Sequence, residues 1–286
     1  MSQRNVVVTG ANTGIGKETA VALASVGDRV TIACRNPEKA SAAVDEIKER
    51  SFSDAVDSVP LDLADLSSIR RCAAELHERL DHVDVLINNA GLIMTQRVLT
   101  ADGFETTFGV NHVGTFLLTN ELADLVRAAP SPRVINLASA AHWGAVRGLN
   151  FEDLMSTRFY NGWVAYFRAK LANIYFTQEL ARRWRADNVV VHAVHPGSVN
   201  SRFGRDGDTT GISAALMSLS HLVTIPPAQG ADTSVWLACS EEGGDLSRSG
   251  NYWLRRRLGR LAPWAKRDVD AKRLWTVTEQ LIAGAS

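Results

Sequence analysis

The chain has 286 residues, of which 45% are hydrophobic and 22% charged, and its 31 basic side chains balance its 31 acidic ones. This composition is typical of a globular protein with a sizeable core, and the charge balance argues against a nucleic-acid-binding surface. Three scattered cysteines are too few for a disulfide framework or a metal site and favour a reducing compartment. No stretch approaches the roughly 18 apolar residues that cross a bilayer, and no signal segment precedes the first predicted strand. We therefore expect a cytoplasmic protein without a transmembrane segment.

Short apolar runs alternate with amphipathic segments along the whole chain. The predicted strands are residues 6–9, 30–33, 58–61, 85–88, 134–137, 189–194 and, more weakly, 251–254. The predicted helices are residues 16–25, 37–48, 66–80, 103–128, 163–186 and 228–239. Apolar strands without alternation are typical of a parallel sheet covered on both faces, and strict β–α alternation favours a doubly wound sheet. Because no linker or repeat interrupts the pattern, we predict one α/β domain over residues 1–286, with a mostly parallel seven-stranded sheet.

Two longer segments interrupt this alternation, and long loops in compact domains are often functional. Residues 140–165 are rich in aromatic side chains, and residues 201–227 combine glycines with an apolar stretch of helical potential. We predict that the second segment forms a lid and that both contribute apolar walls to a pocket for a hydrophobic or ring-containing molecule. The candidate wall residues are Phe151, Phe159, Tyr160, Trp163, Phe203, Ile212, Met217 and Leu219.

The sequence TGANTGIG joins the first predicted strand to the first helix and contains Gly10, Gly14 and Gly16. Glycine allows a close backbone approach, and the unpaired N–H groups at a helix N-terminus favour an anion such as a phosphate. The alternative is a tight turn that packs closely on the sheet. The glycine spacing by itself leaves both open.

Further motifs follow in order: LDLADL, INNAG, GVNHVGTF, RVINLASAAH, AYFRAKLAN and HPGSVNS. With the glycine loop, these motifs resemble the short-chain dehydrogenase/reductase family over residues 5–200, and within it the retinol dehydrogenase-like subgroup. The spacing of 27 residues from Ser139 to Tyr166 also resembles that subgroup, which carries an insertion there. The resemblance implies a Rossmann fold, with a cofactor half at about residues 1–135 and a catalytic and substrate half at about 136–286.

The resemblance also implies the site residues. The implied catalytic residues are Asn111, Ser139, Tyr166 and Lys170. The implied cofactor-binding residues are Gly10, Thr13, Gly14, Ile15, Gly16, Arg35, Asn36, Asp62, Leu63, Asn89, Ala90, Gly91, Tyr166, Lys170, Pro196, Gly197, Val199 and Ser201.

The chemistry of these residue types suits an alcohol–carbonyl interconversion. Hydride transfer to a carbonyl leaves an alkoxide that needs a proton, and the reverse reaction needs a base. A tyrosine of pKa near 10 is a poor base, but Lys170 follows Tyr166 by four residues on the same helix face and is expected to lower the pKa of its hydroxyl. Ser139 would orient the carbonyl oxygen. By the resemblance, Asn111 would hold a water that links Lys170 to solvent.

The end of the second strand predicts which dinucleotide is used. An acidic residue there would bind the ribose 2′-hydroxyl of NAD, but this chain has Cys34 followed by Arg35. A guanidinium can bind a 2′-phosphate, so we predict NADP(H). The alternative is that Arg35 is only a solvent-exposed loop residue. Lys17 is expected to lie too far along its helix to contribute.

We therefore predict an NADP-dependent oxidoreductase that interconverts an alcohol and a ketone or aldehyde. With no membrane anchor visible in the sequence, a lipid, terpenoid, steroid or polyketide-like substrate is favoured over retinol itself. The alternatives are a carbon–carbon double-bond reductase of the same family and a non-catalytic NADP-sensing protein. The intact set of four catalytic residues argues against the sensor.

Three further expectations concern surfaces and histidines. The resemblance implies a homodimer or homotetramer through the helices at 103–128 and 163–186. The basic segment 253–267 is expected to be a solvated face, with contact to an anionic membrane or a substrate carboxylate as the alternative. His142 either lines the substrate pocket or satisfies backbone groups, and His192 and His195 lack the companions of a metal site.

Overall fold

One eight-stranded sheet runs through residues 3–197 and 225–285, the part of the chain that the computed structural model describes. In chain order its strands are β1 (Asn5–Thr9), β2 (Arg29–Cys34), β3 (Val56–Pro60), β4 (Val85–Asn88), β5 (Arg133–Leu137), β6 (Val190–His195), β7 (Tyr252–Leu254) and β8 (Arg257–Leu258). Their order across the sheet is β3-β2-β1-β4-β5-β6-β7-β8, and every pair is parallel except β7 with β8. The strand order reverses between β1 and β4, where doubly wound sheets open a crevice at the carboxyl ends of their strands.

The predicted doubly wound α/β sheet is confirmed, with one strand more than the seven expected. The extra strand, β8, consists of Arg257 and Leu258 and pairs antiparallel with the end of β7. Two exposed residues of mixed polarity carry no periodicity, so the sequence pattern could not predict them.

Helices cover both faces of the sheet. In chain order they are α1 (Gly14–Ser25), α2 (Pro37–Ser51), α3 (Leu66–Arg79), α4 (Thr106–Phe108), α5 (Thr115–Glu121), α6 (Ala123–Arg127), α7 (Gly162–Arg183), α8 (Pro227–Cys239) and α9 (Asp268–Gly284). Successive residues of β1 point to opposite faces. Val6 and Val8 therefore join the core under α1, α2 and α8, while Val7 joins the core under α3, α5, α7 and α9.

The continuous helix predicted at residues 103–128 is wrong in detail. Gly103 has a φ of +83°, which no α-helix accommodates, and Glu105 instead caps the N–H groups of Thr107 and Phe108. A π-helical stretch, Gly109–Gly114, then separates α4 from α5. A side chain at Gly114 would collide with the carbonyl oxygen of Leu63, so the helix passes close to the loop after β3 only because this residue is glycine. π-Helical turns are frequent at functional sites, and this one contains Asn111.

The C-terminal helix α9 was not predicted from the sequence. Its apolar residues, among them Leu274, Trp275 and Ile282, are buried against α5 and α7. The Trp275 ring stacks on Phe176 at a centroid distance of 5.9 Å and meets Phe116 edge-on at 4.7 Å. The three- and four-residue spacing of these apolar positions was the signal available in the sequence.

The basic segment 253–267 is only partly the solvated face that was expected. Arg255, Arg257 and Arg260 are exposed, but Trp253 at its start is 1% exposed and Ala262 is fully buried. The segment is therefore anchored in the core at both positions. Among the described residues, no helix combines the length and the apolar character needed to cross a bilayer.

Candidate active site

The glycine loop lies between β1 and α1 and forms a cradle of backbone groups. Gly10 and Gly14 have φ angles of +64° and +58°, which favour glycine. A Cβ on Gly16 would lie 2.5 Å from Nδ2 of Asn89, so α1 can pack this closely only with glycine there. The capping residue Thr13 makes no side-chain hydrogen bond to the helix, and the first turn has no acidic residue. The N–H groups at the start of α1 are therefore available to bind an anion. The half-buried Ile15 packs against the core beneath them.

The loop after β4 holds the glycine loop in place. Asn89 donates from Nδ2 to the carbonyl oxygens of Thr9 and Gly10, at 2.8 and 3.3 Å. In return, the Thr9 hydroxyl accepts from the backbone N–H groups of Asn89 and Ala90, both at 3.0 Å. The predicted residues Gly10, Asn89 and Ala90 are therefore brought together. Thr9 was missed, although it opens the quoted glycine motif.

The adenosine side of the crevice brings together the ends of β2 and β3. Arg35 is exposed and makes no hydrogen bond or ion pair within residues 3–197 and 225–285. Asn36 caps α2, accepting at 2.7 Å from the N–H of Lys39, so its side chain is occupied by the fold. Asp62 accepts at 2.9 Å from the N–H of Ala64, and Leu63 is buried beside the π-helical turn.

Cys34, where an acidic residue would select NAD, is 2% exposed. Burial raises the pKa of its thiol to about 11, and hydrogen bonds from the backbone of Ala11 and Asn12 act in the opposite direction. The thiol is therefore a neutral packing group under the glycine loop. Lys17 pairs with Glu46 at 2.6 Å.

Three predicted catalytic residues converge at the end of β5 and on α7. The Asn161 side chain caps the start of α7 by accepting hydrogen bonds from the N–H groups of Trp163 and Val164. This cap fixes where α7, the helix that carries Tyr166 and Lys170, begins. The Tyr166 hydroxyl is hydrogen-bonded to Ser139. Nζ of Lys170 lies 5.7 Å from the centre of the Tyr166 ring and donates to the carbonyl oxygen of Leu137 at 3.1 Å.

The pKa of Tyr166 differs from the sequence-based expectation. Burial raises it to about 12, and the hydrogen bond to Ser139 opposes this rise. Burial also lowers the pKa of the Lys170 ammonium to about 8. Both shifts follow from desolvation, which disfavours the charged form of each group. The lysine alone therefore does not make Tyr166 a base at neutral pH.

Asn111 and Gly91 complete this corner of the site. A Cβ on Gly91 would lie 2.5 Å from Oδ1 of Asn111 and 3.4 Å from Nζ of Lys170. The Asn111 side chain donates to the carbonyl oxygens of Leu92 and Thr107 at 2.7 and 2.6 Å and accepts from the N–H of Leu92 at 3.2 Å. Both N–H groups of its amide are therefore used within the fold, so a water would bind at its side-chain oxygen or at its backbone carbonyl.

A second asparagine, Asn173, was missed by the sequence analysis. Its Nδ2 donates at 3.1 Å to the carbonyl oxygen of Leu137, which also accepts from Lys170. Asn173 lies one helical turn after Lys170 in the quoted motif AYFRAKLAN. The shared acceptor places the lysine head group, and only the tertiary fold brings this acceptor to α7.

The loop after β6 brings Pro196 and Gly197 to the same edge of the sheet, with a φ of +90° at Gly197. Val199, Ser201 and the lid expected at residues 201–227, except for 225–227, lie outside the described residues. The same holds for the four candidate wall residues of that lid, Phe203, Ile212, Met217 and Leu219.

The aromatic residues of the 140–165 segment divide into two groups. The Tyr160 hydroxyl donates to the carbonyl oxygen of Met94 at 2.8 Å and is 3.1 Å from a carboxylate oxygen of Glu105, so it serves the fold. The Phe151 ring packs under the guanidinium of Arg273. Phe159 and Trp163 remain 76% and 36% exposed and are the candidates for contact with a substrate.

The described histidines were also considered as metal ligands. Within the described residues, no group of three or more histidine, cysteine, aspartate or glutamate side chains could hold a metal ion. His142 is fully buried and bonds to two backbone groups, so its satisfaction of backbone groups is the interpretation that the structure supports.

Comparisons with known proteins agree with this geometry. The family described as short chain dehydrogenase matches residues 4–210. Human retinol dehydrogenase 13 is 43% identical, over 98% of this chain and 84% of that protein, and human retinol dehydrogenase 11 is 41% identical, over 97% and 85%.

Two solved structures are also similar. An uncharacterised protein from Mycobacterium paratuberculosis is 35% identical, with a TM-score of 0.76 over 98% of this chain and 93% of that one. RhlG of Pseudomonas aeruginosa, solved as an NADP active-site complex, is 26% identical, with a TM-score of 0.67 over 88% and 94%. With the glycine loop and the Ser139–Tyr166–Lys170 cluster in place, these matches confirm the resemblance to retinol dehydrogenases, and the chain belongs to the short chain dehydrogenase family.

Proposed function

We propose that this protein is an NADP(H)-dependent oxidoreductase that interconverts an alcohol and a ketone or aldehyde on a hydrophobic small molecule. The observation that carries the proposal is the hydrogen bond between Ser139 and Tyr166, with Lys170 beneath the tyrosine ring and the glycine cradle across the same crevice. A proton donor, its orienting hydroxyl and an anion-binding backbone thus face one space.

The residues present fit a dinucleotide phosphate cofactor. The uncapped start of α1 suits its pyrophosphate, and the exposed guanidinium of Arg35, which has no partner among the described residues, suits its 2′-phosphate. Asp62 and Leu63 would contact the adenine, and Asn89 to Gly91 would lie along the nicotinamide ribose. When bound, the nicotinamide supplies the hydride transfer. RhlG, solved with NADP, supports this choice of cofactor.

The chain's own residues handle the proton. A Tyr166 hydroxyl with a pKa of about 12 is protonated at neutral pH, so it can donate a proton to the oxygen of a reduced carbonyl. In the oxidising direction, Tyr166 must lose its proton, and the ammonium of Lys170 stabilises the resulting tyrosinate. Ser139, bonded to Tyr166, orients the substrate oxygen toward that hydroxyl. An oxygen of Asn111 would hold the water that reconnects Lys170 to solvent.

The substrate class rests on the exposed aromatic side chains and on the relatives. Phe159 and Trp163 lie just before and at the start of α7, the helix that carries Tyr166. Retinol dehydrogenases 11 and 13 are named for an apolar alcohol. Both observations support a hydrophobic or ring-containing substrate. The cytoplasmic location and the homo-oligomeric state expected from the sequence stay predictions.

Replacing Tyr166 with phenylalanine tests the proposal. Tyr166→Phe keeps the ring and removes the acid/base hydroxyl, so we expect kcat to fall by at least about a hundredfold, the lower range for a general acid. NADPH affinity, measured by fluorescence titration, should change little.

Tyr160→Phe is the matched control, because its hydroxyl bonds to Met94 and Glu105 outside the cluster. Its kcat should stay within a few-fold of the wild type. Equal turnover of Tyr166→Phe and the wild type would overturn the proposed mechanism, and a product saturated at a carbon–carbon bond would favour the double-bond reductase.

A further inference from the structure

The imidazole of His142 connects two segments that are far apart in the sequence. His142 lies in the 3₁₀ turn Ala140–Gly144, directly after Ser139, and is fully buried. Its Nδ1 is 2.7 Å from the carbonyl oxygen of Ser139, and its Nε2 is 3.2 Å from the backbone N–H of Ala262. One side chain thus joins the loop after β5 to the segment before α9.

These two partners define the protonation state of the ring. The N–H of Ala262 can only donate, so Nε2 must be the acceptor and carry no proton. The single ring proton is then on Nδ1 and is donated to the carbonyl oxygen of Ser139. Burial lowers the pKa of His142, which favours this neutral form. Both ring nitrogens are therefore satisfied in one orientation.

The segment on the other side of His142, residues 262–265, is held by additional contacts. Nε1 of Trp264 donates at 3.1 Å to the carbonyl oxygen of His142, and the Trp264 ring meets the Trp143 ring edge-on at 6.1 Å. The same segment is fastened to α7, because the Tyr175 hydroxyl donates at 2.5 Å to the carbonyl oxygen of Trp264.

The segment 262–265 therefore braces both elements that carry the acid/base cluster. It contacts α7, which presents Tyr166, and the turn that follows Ser139. The Ser139 hydroxyl accepts from the N–H of Ala141 at 3.1 Å inside that turn and is also bonded to Tyr166, so a shift of the turn moves the hydroxyl relative to the tyrosine.

We propose that His142 is a positioning residue for the reaction: it ties the Ser139 loop to the C-terminal segment 262–265 and so holds the serine hydroxyl against Tyr166. The inference rests on the proposed catalytic role of Ser139. His142 itself does not touch the substrate or transfer a proton.

Two substitutions separate this role from simple packing. His142→Phe keeps a ring and removes both hydrogen bonds, whereas His142→Gln carries an amide oxygen near the position of Nε2 and can still accept from the N–H of Ala262, the contact that joins the two segments. The number of competent sites is measured by the stoichiometry of NADPH binding, and kcat is expressed per NADPH-binding site, so that misfolded protein does not count.

For His142→Phe we expect kcat per site to fall about ten- to hundredfold, the loss that a displacement near 1 Å produces. The KM for the carbonyl substrate and the NADPH affinity should change less than about threefold. His142→Gln should recover most of the lost kcat. A purely structural role would instead lower the melting temperature and the number of sites in both variants, with kcat per site unchanged.

A wild-type kcat per site in His142→Phe, or no recovery in His142→Gln, would overturn the inference. Two further variants, Ser139→Ala and Tyr166→Phe, distinguish failure of the positioning role from failure of the proposed function. If these two variants lose turnover while His142→Phe does not, only the positioning role is wrong. If they turn over like the wild type, the proposed catalytic cluster is wrong as well.

Discussion

The Thr9 hydroxyl shows how a single side chain holds the cofactor cradle together. Thr9 is 1% exposed and is the shared acceptor for two backbone N–H groups of the loop after β4. Buried N–H groups are costly when they have no partner. Thr9 therefore fixes the distance between the glycine loop and Asn89.

Thr9→Val keeps the shape of the side chain and removes this acceptor. We expect the free energy of unfolding to fall by about 1 kcal/mol, because the part-buried N–H of Ala90 is left without its partner. The affinity for NADPH should weaken in parallel. Urea unfolding and fluorescence titration measure the two effects, and Thr9→Ser, which keeps the hydroxyl, should lie near the wild type in both.

Arg35 is the residue on which the cofactor preference depends. Its guanidinium follows β2 at the crevice and has no partner in the described part of the chain, and the neighbouring Cys34 carries no charge that would repel a phosphate. We expect the wild type to prefer NADPH over NADH by at least about tenfold, which requires about 1.4 kcal/mol of differential binding.

Arg35→Ala should raise the KM for NADPH and leave that for NADH nearly unchanged, because only NADPH has the 2′-phosphate. Arg185→Ala, an exposed arginine just before β6 at the opposite edge of the sheet, is the matched control and should affect neither. Equal losses for both cofactors in Arg35→Ala would show that this arginine does not read the 2′-phosphate.

At the scale of elements, α9 changes the interpretation of the apolar surface of α5 and α7. The resemblance implied that the helices predicted at 103–128 and 163–186 pair between subunits. In the structure, Phe116 and Phe176 on that face are buried under Trp275 of the same chain. A homodimer built on this face would have to pair through α9 rather than through those side chains.

Trp275→Ala tests how α9 is held. Trp275 is 4% exposed and lies 4.3 Å under the guanidinium of Arg183, and truncation of such a buried tryptophan costs about 3–5 kcal/mol. We expect this loss in urea unfolding. We also expect a rise in mass with concentration in light scattering, because the apolar face of α5 and α7 becomes accessible. An unchanged mass together with unchanged stability would mean that α9 does not cover this face.

At the scale of the whole molecule, buried histidines make stability depend on pH. Burial lowers the pKa of His112 to about 3, and it lowers that of His192 and of His195 to about 4. An unfolded histidine titrates near 6.5, so below that pH the unfolded chain binds more protons than the folded one. Folding stability is therefore lost as the pH falls from about 6.5 toward 4.

We expect each of these three histidines to lower the free energy of unfolding by about 2 kcal/mol when the pH falls from 7 to 5. Urea unfolding at both pH values measures this loss. The partly exposed His77 acts in the opposite direction, because its hydrogen bond to the carbonyl oxygen of Ala73, and then Asp124, raises its pKa. In His112→Leu, the loss of unfolding free energy between pH 7 and pH 5 should be smaller by the contribution of one histidine. A stability that does not change over this range would contradict the burial of these rings.

Much of the site could be predicted from the sequence, because it consists of short motifs at strand ends. Three of its residues directly follow predicted strands, namely Gly10, Asn89 and Ser139, and Tyr166 lies on a helix that the apolar periodicity predicts. A parallel sheet brings the carboxyl ends of its strands together at one edge. His142 could not be assigned in this way. Its partner Ala262 is 120 residues away and offers only a backbone N–H, which leaves no trace in the sequence.

The sequence by itself determined the doubly wound sheet and the family, because local periodicity and short motifs encode both, and it predicted an anion-binding glycine loop and the acid/base residues. The tertiary structure decided what holds these residues and what ionisation they favour. Burial sets the pKa of Tyr166 and Lys170, and long-range contacts, such as those of Leu137 with Asn173, place the lysine head group. Desolvation and shared acceptors depend on everything packed around a group, and neighbours in space are not neighbours in the chain.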